Sequence, residues 1–244
     1  MLDRLPRVPQ VAGGASTGSQ RTFKDDGLEA AKIAAIVLML VNHLLLAWPL
    51  PWSLWGYVLG RSCVPLFTII MVARLAEGGP ERARRMLWWL CITAVLTQPI
   101  YFAVTANWPP RANVMVALAA GVVLIELVRR EYYLGLAVAI LAVLATQPWL
   151  DPGATAPIGM VIAYATWRRR RWVGIAAVCA LAALSTYIIA PYYPFAGLGV
   201  LGTPLILLAS PRLADLTPRL PRATFYAFYP AHLLAIWLVY GPYP

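Results

Sequence analysis

Two histidines are all this chain has, and neither stands where histidine is ordinary. His43 closes the run Ile36-Val37-Leu38-Met39-Leu40-Val41-Asn42-His43 and is followed by three leucines, while His232 sits in Phe225-Tyr226-Ala227-Phe228-Tyr229-Pro230-Ala231-His232. A neutral imidazole in such a setting can take a proton from an attacking amine or hydroxyl. Arg61 is a third polar intrusion into an apolar stretch, and a guanidinium there can hold a carbonyl oxygen as it becomes an oxyanion. Those three residue types are the minimal kit for acyl transfer. An ionisable side chain inside a membrane span is costly enough to be a functional hypothesis by default. We therefore take His43, His232 and Arg61 as candidate catalytic residues.

Five polar neighbours are candidates for holding substrate. Tyr57 lies one turn before Arg61 and Tyr229 three residues before His232, each on the same helical face as its partner. Asn42 precedes His43, and Gln98 and Asn113 add amides near the outer ends of the third and fourth apolar segments. The kit is not specific: transporters place the same residue types at the midplane for substrate or proton binding. Each histidine can also be a packed imidazole bonded to a neighbouring backbone group, and Arg61 a buried structural cation. No metal-ligand constellation, phosphate-binding glycine loop or activated Ser or Cys nucleophile is visible, and Cys63, Cys91 and Cys179 stand singly in apolar segments.

The elements that position these residues must be membrane helices. Of 244 residues 61% are hydrophobic and 12% charged, with mean hydropathy +0.68, whereas soluble domains carry about 25% charged residues. The reading is an all-α polytopic transmembrane bundle of about nine spans, near residues 26–48, 52–75, 85–105, 112–128, 132–147, 155–167, 172–190, 197–210 and 223–240. Asp26-Gly27-Leu28-Glu29 opens the first with capping-box spacing. At 1.5 Å per residue, His43 comes out roughly 22 Å along its helix and Arg61 and His232 about 14 to 15 Å deep, so all three can face one cavity. Residues 1–26 read as a flexible cytoplasmic tail and residues 27–244 as one transmembrane domain of acyltransferase type.

The net charge of +10 reflects orientation in a membrane rather than nucleic-acid binding. Seventeen of the twenty basic residues fall in the N-terminal tail and the even-numbered loops, including Arg74, Arg84, Arg129, the run Arg168 to Arg171, and Arg212, while the opposite loops hold Arg111 alone. That places the N-terminus in the cytoplasm and the C-terminus in the periplasm. Arg168 to Arg171 reads as a topology determinant that touches anionic lipid, with a polyphosphate role as the alternative. Trp48, Trp52, Trp55, Tyr101, Trp108, Trp149, Tyr192, Tyr193 and Tyr240 then fall at the outer interface. Glu77 and Glu81 read as solvated partners of loop arginines.

These same motifs resemble the TraX family of conjugative-pilus accessory proteins, including its TrbP-like members. The resemblance covers about residues 28 to 240. It rests on the apolar run ending in Asn42-His43, on Gly60-Arg61 followed by Val64-Pro65-Leu66-Phe67, on Ala76-Glu77-Gly78, Arg84-Arg85, Thr97-Gln98-Pro99 and Asn113, and most specifically on Phe225 to His232. The segment from about 130 to 210 is similar only in hydropathy. The resemblance implies a multi-pass bacterial inner-membrane protein, related to the larger membrane O-acyltransferases, that acetylates the N-terminus of a pilin subunit with acetyl-coenzyme A as donor. Its implied partners are the pilin, membrane lipids and the conjugation machinery of a type IV secretion system. Asn42 stands where the family usually has an acidic residue, and Gln98 where it usually has Glu, so two carboxylates that could orient a histidine are missing. Head-to-tail closure of the pilin and a non-enzymatic pilin chaperone are the alternative functions.

Overall fold

A backbone surrounded by lipid must close its hydrogen bonds within itself, and among the described residues every named element of this chain is helical. The computed structural model describes residues 26–47, 53–105, 111–151, 153–189 and 194–242. Helix α1 spans Asp26–Ala47, α2 Ser53–Gly60, α3 Cys63–Glu77, α4 Pro80–Thr105, α5 Val114–Arg129, α6 Tyr133–Ala145, α7 Thr155–Ile189, α8 Gly202–Leu213 and α9 Arg222–Tyr240. Short 3-10 turns cover Gln147–Trp149, Pro194–Leu201 and Ala214–Leu216. The expected tail, along with Trp48, Trp52, Trp108, Tyr192 and Tyr193, lies outside the described residues.

Among the described residues six helical segments are long and apolar enough to cross a membrane: Gly27–Ala47, Trp55–Glu77, Pro80–Thr105, Arg169–Ile188, Phe195–Leu213 and Ala223–Tyr240. This is a membrane protein, with six such segments where nine spans were expected. The fourth and fifth expected spans correspond to α5 and α6, of 16 and 13 residues. At 1.5 Å per residue they reach roughly 24 and 20 Å, less than the ~30 Å of a hydrocarbon core. The sixth is the first arm of α7.

Helix α7 doubles back on itself. Its backbone leaves helical geometry at Arg170 (φ −144°, ψ 58°), within the arginine run expected to separate two spans. The arms then press together where side chains are smallest: a Cβ on Gly174 would stand 2.8 Å from the Cα of Ala163, and one on Gly159 would reach Val178. Small residues allow that approach in lipid, where packing rather than water exclusion holds helices together.

Helix α3 is the centre of the bundle. It is buried over almost its whole length, from Cys63 to Leu75, and packs against α1, α7 and α8. Around it, α4 joins α5 and α9, α5 joins the α7 hairpin, and α1 touches α2, α8 and α9. Outward faces carry large apolar side chains such as Trp88, Val95, Leu141 and Leu238, as lipid contact requires. Trp55 and Trp149 are exposed as a belt would be, but Tyr101 is not: it is only 5% exposed and faces inward.

One end of the bundle gathers the arginine-rich loops. Arg129 at the end of α5 donates to the carbonyls of Leu75 and Gly78 at the end of α3 and to the hydroxyl of Tyr164 near the α7 reversal (3.0 Å), and pairs with Glu126 at 2.6 Å. It thereby adds donors at the end of α3, where among the described residues the Leu75 carbonyl otherwise accepts only the Gly78 N–H. Glu29, expected as half of a capping box, instead binds Lys32 (2.6 Å) and Arg74 (3.3 Å), tying α1 to α3. Glu81 and Arg84 are 3.9 Å apart and both largely exposed. Reporter fusions at Arg84 and Arg169 are expected to read cytoplasmic, and fusions after Trp108 and at the C-terminus periplasmic. A cytoplasmic C-terminus would overturn that orientation and make the number of crossings even.

Candidate functional site

The expected second span is not continuous. Pro65 has no N–H with which to bond the carbonyl of Arg61 four residues earlier, so the helical ladder fails there. The chain turns through 3-10-type bonds, Arg61 N–H to Val58 O and Ser62 N–H to Leu59 O, both 3.2 Å, before α3 begins at Cys63. Neighbouring groups stabilise the break: Ser62 Oγ donates to Gly199 O at 2.5 Å, and Thr203 Oγ1 donates to Ser62 O at 3.4 Å. Interrupted helices are tolerated in membranes where they are buried in protein or line a cavity, and this one points Arg61 into a cavity.

That cavity has a volume of about 80 Å³, and its lining includes Asn42, His43, Arg61, Thr68, Asp151 and Tyr229. One buried water needs only some 10 to 15 Å³ on this measure, so a small polar group fits. Three buried polar atoms along its wall have no hydrogen-bond partner: Asn42 Oδ1, Arg61 Nε and Thr68 Oγ1. Leaving such atoms unpaired costs about 1 to 3 kcal/mol each, a penalty that a polar ligand would remove. Tyr57 lies beneath Arg61, with the guanidinium carbon 4.0 Å from the ring centroid. Asn42 packs against bare backbone at Gly60, where any Cβ would collide with it at 2.3 Å.

The two histidines are 189 residues apart in sequence and 2.7 Å apart in space, from His43 Nδ1 to His232 Nε2. Their ring planes lie within 11° of each other with centroids 5.0 Å apart, so the bond runs edge to edge, and the Phe228 ring lies nearly parallel to His232 with centroids 4.7 Å apart. The direction of the chain of bonds follows from the last acceptor. His232 Nδ1 lies 2.8 Å from Phe228 O, which can only accept, so that nitrogen carries a proton. With both rings neutral, His232 Nε2 accepts the Nδ1–H of His43, and His43 keeps its lone pair on Nε2. His43 lines the cavity while His232, 5% exposed, lies behind it. In this arrangement the His43 ring presents an acceptor nitrogen, and His232 fixes its tautomer.

The expected substrate-binding residues divide. Asn42 and Tyr229 line the cavity and Tyr57 supports Arg61 from beneath. Gln98 and Asn113 are not among the lining residues. Gln98 Oε1 accepts from the backbone N–H and the side-chain amide of Asn113, and Gln98 Nε2 donates to Arg111 O. Asn113 also donates to Ala94 O and caps α5 by accepting from Met115 N–H. Their hydrogen bonds are spent fixing the connection from α4 to α5, so these two amides position the wall and do not form it.

The connection from α6 to α7, bonded to this one, carries a residue that was not among the sequence candidates. Ala112 N–H donates to Trp149 O (2.7 Å) and Asp151 N–H to Ala112 O (3.0 Å), which brings Asp151 to the cavity wall. Tyr101 donates to Asp151 Oδ2 at 2.8 Å, the reason this tyrosine faces inward. A signal was available: alone of the ten acidic residues, Asp151 falls in a loop on the arginine-poor side. Thr68 was also missed, because a threonine within an apolar run carries no local mark.

Among the described residues no three His, Cys, Asp or Glu side chains are grouped to hold a metal ion. A family model described as TraX protein matches residues 27–240. No curated protein and no solved structure matches the chain.

Proposed function

The chain belongs to the TraX family, membership that implies a role in conjugative pilin processing, and from that premise we propose that it transfers an acyl group, an acetyl group first of all, to the N-terminal amine of a pilin subunit in the bacterial inner membrane. The observation that carries this reading is the bond chain from His43 through His232 to Phe228 O, set beside the unpartnered Nε of Arg61 at one cavity. His43 Nε2 takes a proton from the attacking nitrogen. His232 stabilises the imidazolium so formed by accepting its Nδ1–H, while Phe228 O holds His232 in place. Arg61 donates to the oxygen on which negative charge develops, in a buried setting where such a donor is worth most.

The pilin and the surrounding lipid are the partners this reading requires, with the conjugation machinery beyond them. The fit of acetyl-coenzyme A can be judged by size. A space of about 80 Å³ admits the acyl end of a thioester beside an amine, with Arg61 and Asn42 on its wall, but the much larger nucleotide end must lie outside. When bound, the donor supplies an activated carbonyl carbon: the amide C–N bond forms there as the bond to the leaving thiolate breaks, and the two protons the ammonium gives up pass one to His43 and one to that thiolate.

Intact-mass analysis of pilin from cells with and without this gene tests the proposal. The expected result is a gain equal to one acetyl group that depends on the gene. Loss of one water would point to closure of the pilin on itself, and an unchanged mass with impaired pilus assembly would point to a chaperone. Either result would overturn the acetylation reading.

A further inference from the structure

The cavity contains two opposite charges that do not neutralise each other. Arg61 and Asp151 both line it, yet no ion pair joins them, and among the described residues Arg61 has no carboxylate partner and Asp151 no cationic one. Asp151 is the one carboxylate among the lining residues. Its Oδ2 accepts from Tyr101, which leaves further acceptor capacity on the group. Both residues are half-buried, and these two groups of opposite sign face one space whose wall also holds the buried, unpartnered Arg61 Nε, Asn42 Oδ1 and Thr68 Oγ1. A ligand that satisfies this wall carries a cation for Asp151 and an acceptor oxygen for Arg61.

The terminal residue of a polypeptide has that pattern: an α-ammonium followed by its own carbonyl oxygen. We propose that Asp151 is the residue that binds the α-ammonium of the incoming chain, and that this contact makes the site select a free N-terminal amine. Asn42 Oδ1 and Thr68 Oγ1 accept from the remaining N–H groups. His43 lines the same cavity and receives the proton that the nitrogen must lose before it can attack. The position of Asp151 is held independently of the histidines, by the Ala112 backbone bonds and by Tyr101. Recognition and proton removal therefore rest on different elements. The inference rests on the acyl-transfer reading for its substrate but not for its geometry.

The test compares binding of two synthetic peptides to the full-length protein in phospholipid nanodiscs. One carries the N-terminus of the mature pilin, and the other is the same peptide with its amino group replaced by hydrogen. The wild-type protein is expected to favour the amine by about ten- to a hundred-fold, as for other hydrogen bonds to charged groups. Asp151→Asn should bring the two affinities together by weakening the amine peptide alone, Asp151→Glu should restore part of the preference, and Tyr101→Phe should retain it. A purely structural role would instead weaken both peptides equally in Asp151→Asn, which would overturn the proposal. So would equal binding of the two peptides by the wild-type protein. Should Asp151→Asn not reach the membrane, Asp151→Ser, whose hydroxyl still accepts from Tyr101, takes its place. The intact-mass assay separates the two readings. Modified pilin together with an amine preference that survives loss of Asp151 removes this inference alone. Unmodified pilin with a preference that depends on Asp151 removes acyl transfer alone.

Discussion

Pilin co-expressed with the His43→Ala variant is expected to emerge unmodified, its rate of modification lowered by about 10² to 10⁴, the usual worth of a positioned general base. The base is specified by a bond chain that ends at Phe228 O, so its two histidines work as one unit. His232→Ala removes the acceptor for His43 Nδ1–H and lets the proton move to Nε2, the nitrogen that must be bare. A smaller but substantial loss follows, with the ring still present and wrongly protonated. Residues acting as a unit are strongly non-additive. The double variant His43→Ala, His232→Ala should accordingly lose little more than His43→Ala alone. His232→Gln, whose side-chain oxygen can accept from Nδ1–H, should recover part of the activity. The measurement is intact pilin mass, with membrane levels of each variant checked by blot. Full modification by a well-expressed double variant would remove the catalytic reading and favour the chaperone.

Arg61→Ala is expected to cost about 10² to 10³ in rate, the usual effect of losing one oxyanion donor. The more discriminating change is Arg61→Lys. Lysine keeps the charge but loses the Nε–H, which is the buried, unpartnered donor at the cavity, and the flat cation that lies over Tyr57. Arg61→Lys should therefore fall close to Arg61→Ala. A lysine variant with wild-type modification would show that charge alone suffices and that the guanidinium geometry carries no role. The Arg61 variants keep the histidine bond chain and Asp151, so the preference for the amine peptide over its desamino counterpart should remain while turnover is lost.

The sequence alone determined the class of molecule and the identity of its chemical groups. Its composition leaves no room for a soluble core, and its arginines alternate between loops as membrane orientation demands. Asn42-His43, Arg61 and His232 were legible for one physical reason: a polar or ionisable side chain within an apolar run is too costly to be accidental. The arginine run at 168–171 marked the reversal in α7 in the same way, because four charges cannot be carried across lipid. Three properties were decided only in three dimensions. The first is the break in the second span, which hydropathy reads as continuous because the missing Pro65 bond changes the backbone without changing the polarity of the segment. The second is the pairing of His43 with His232, since helical periodicity fixes which face a side chain takes but not which distant helix it meets. The third is Asp151, whose sequence neighbours spell a turn and whose place at the cavity depends on two backbone bonds to Ala112 and one from Tyr101. The local cost of burying charge is written residue by residue, whereas the partner that relieves it is chosen by packing between elements far apart in the chain.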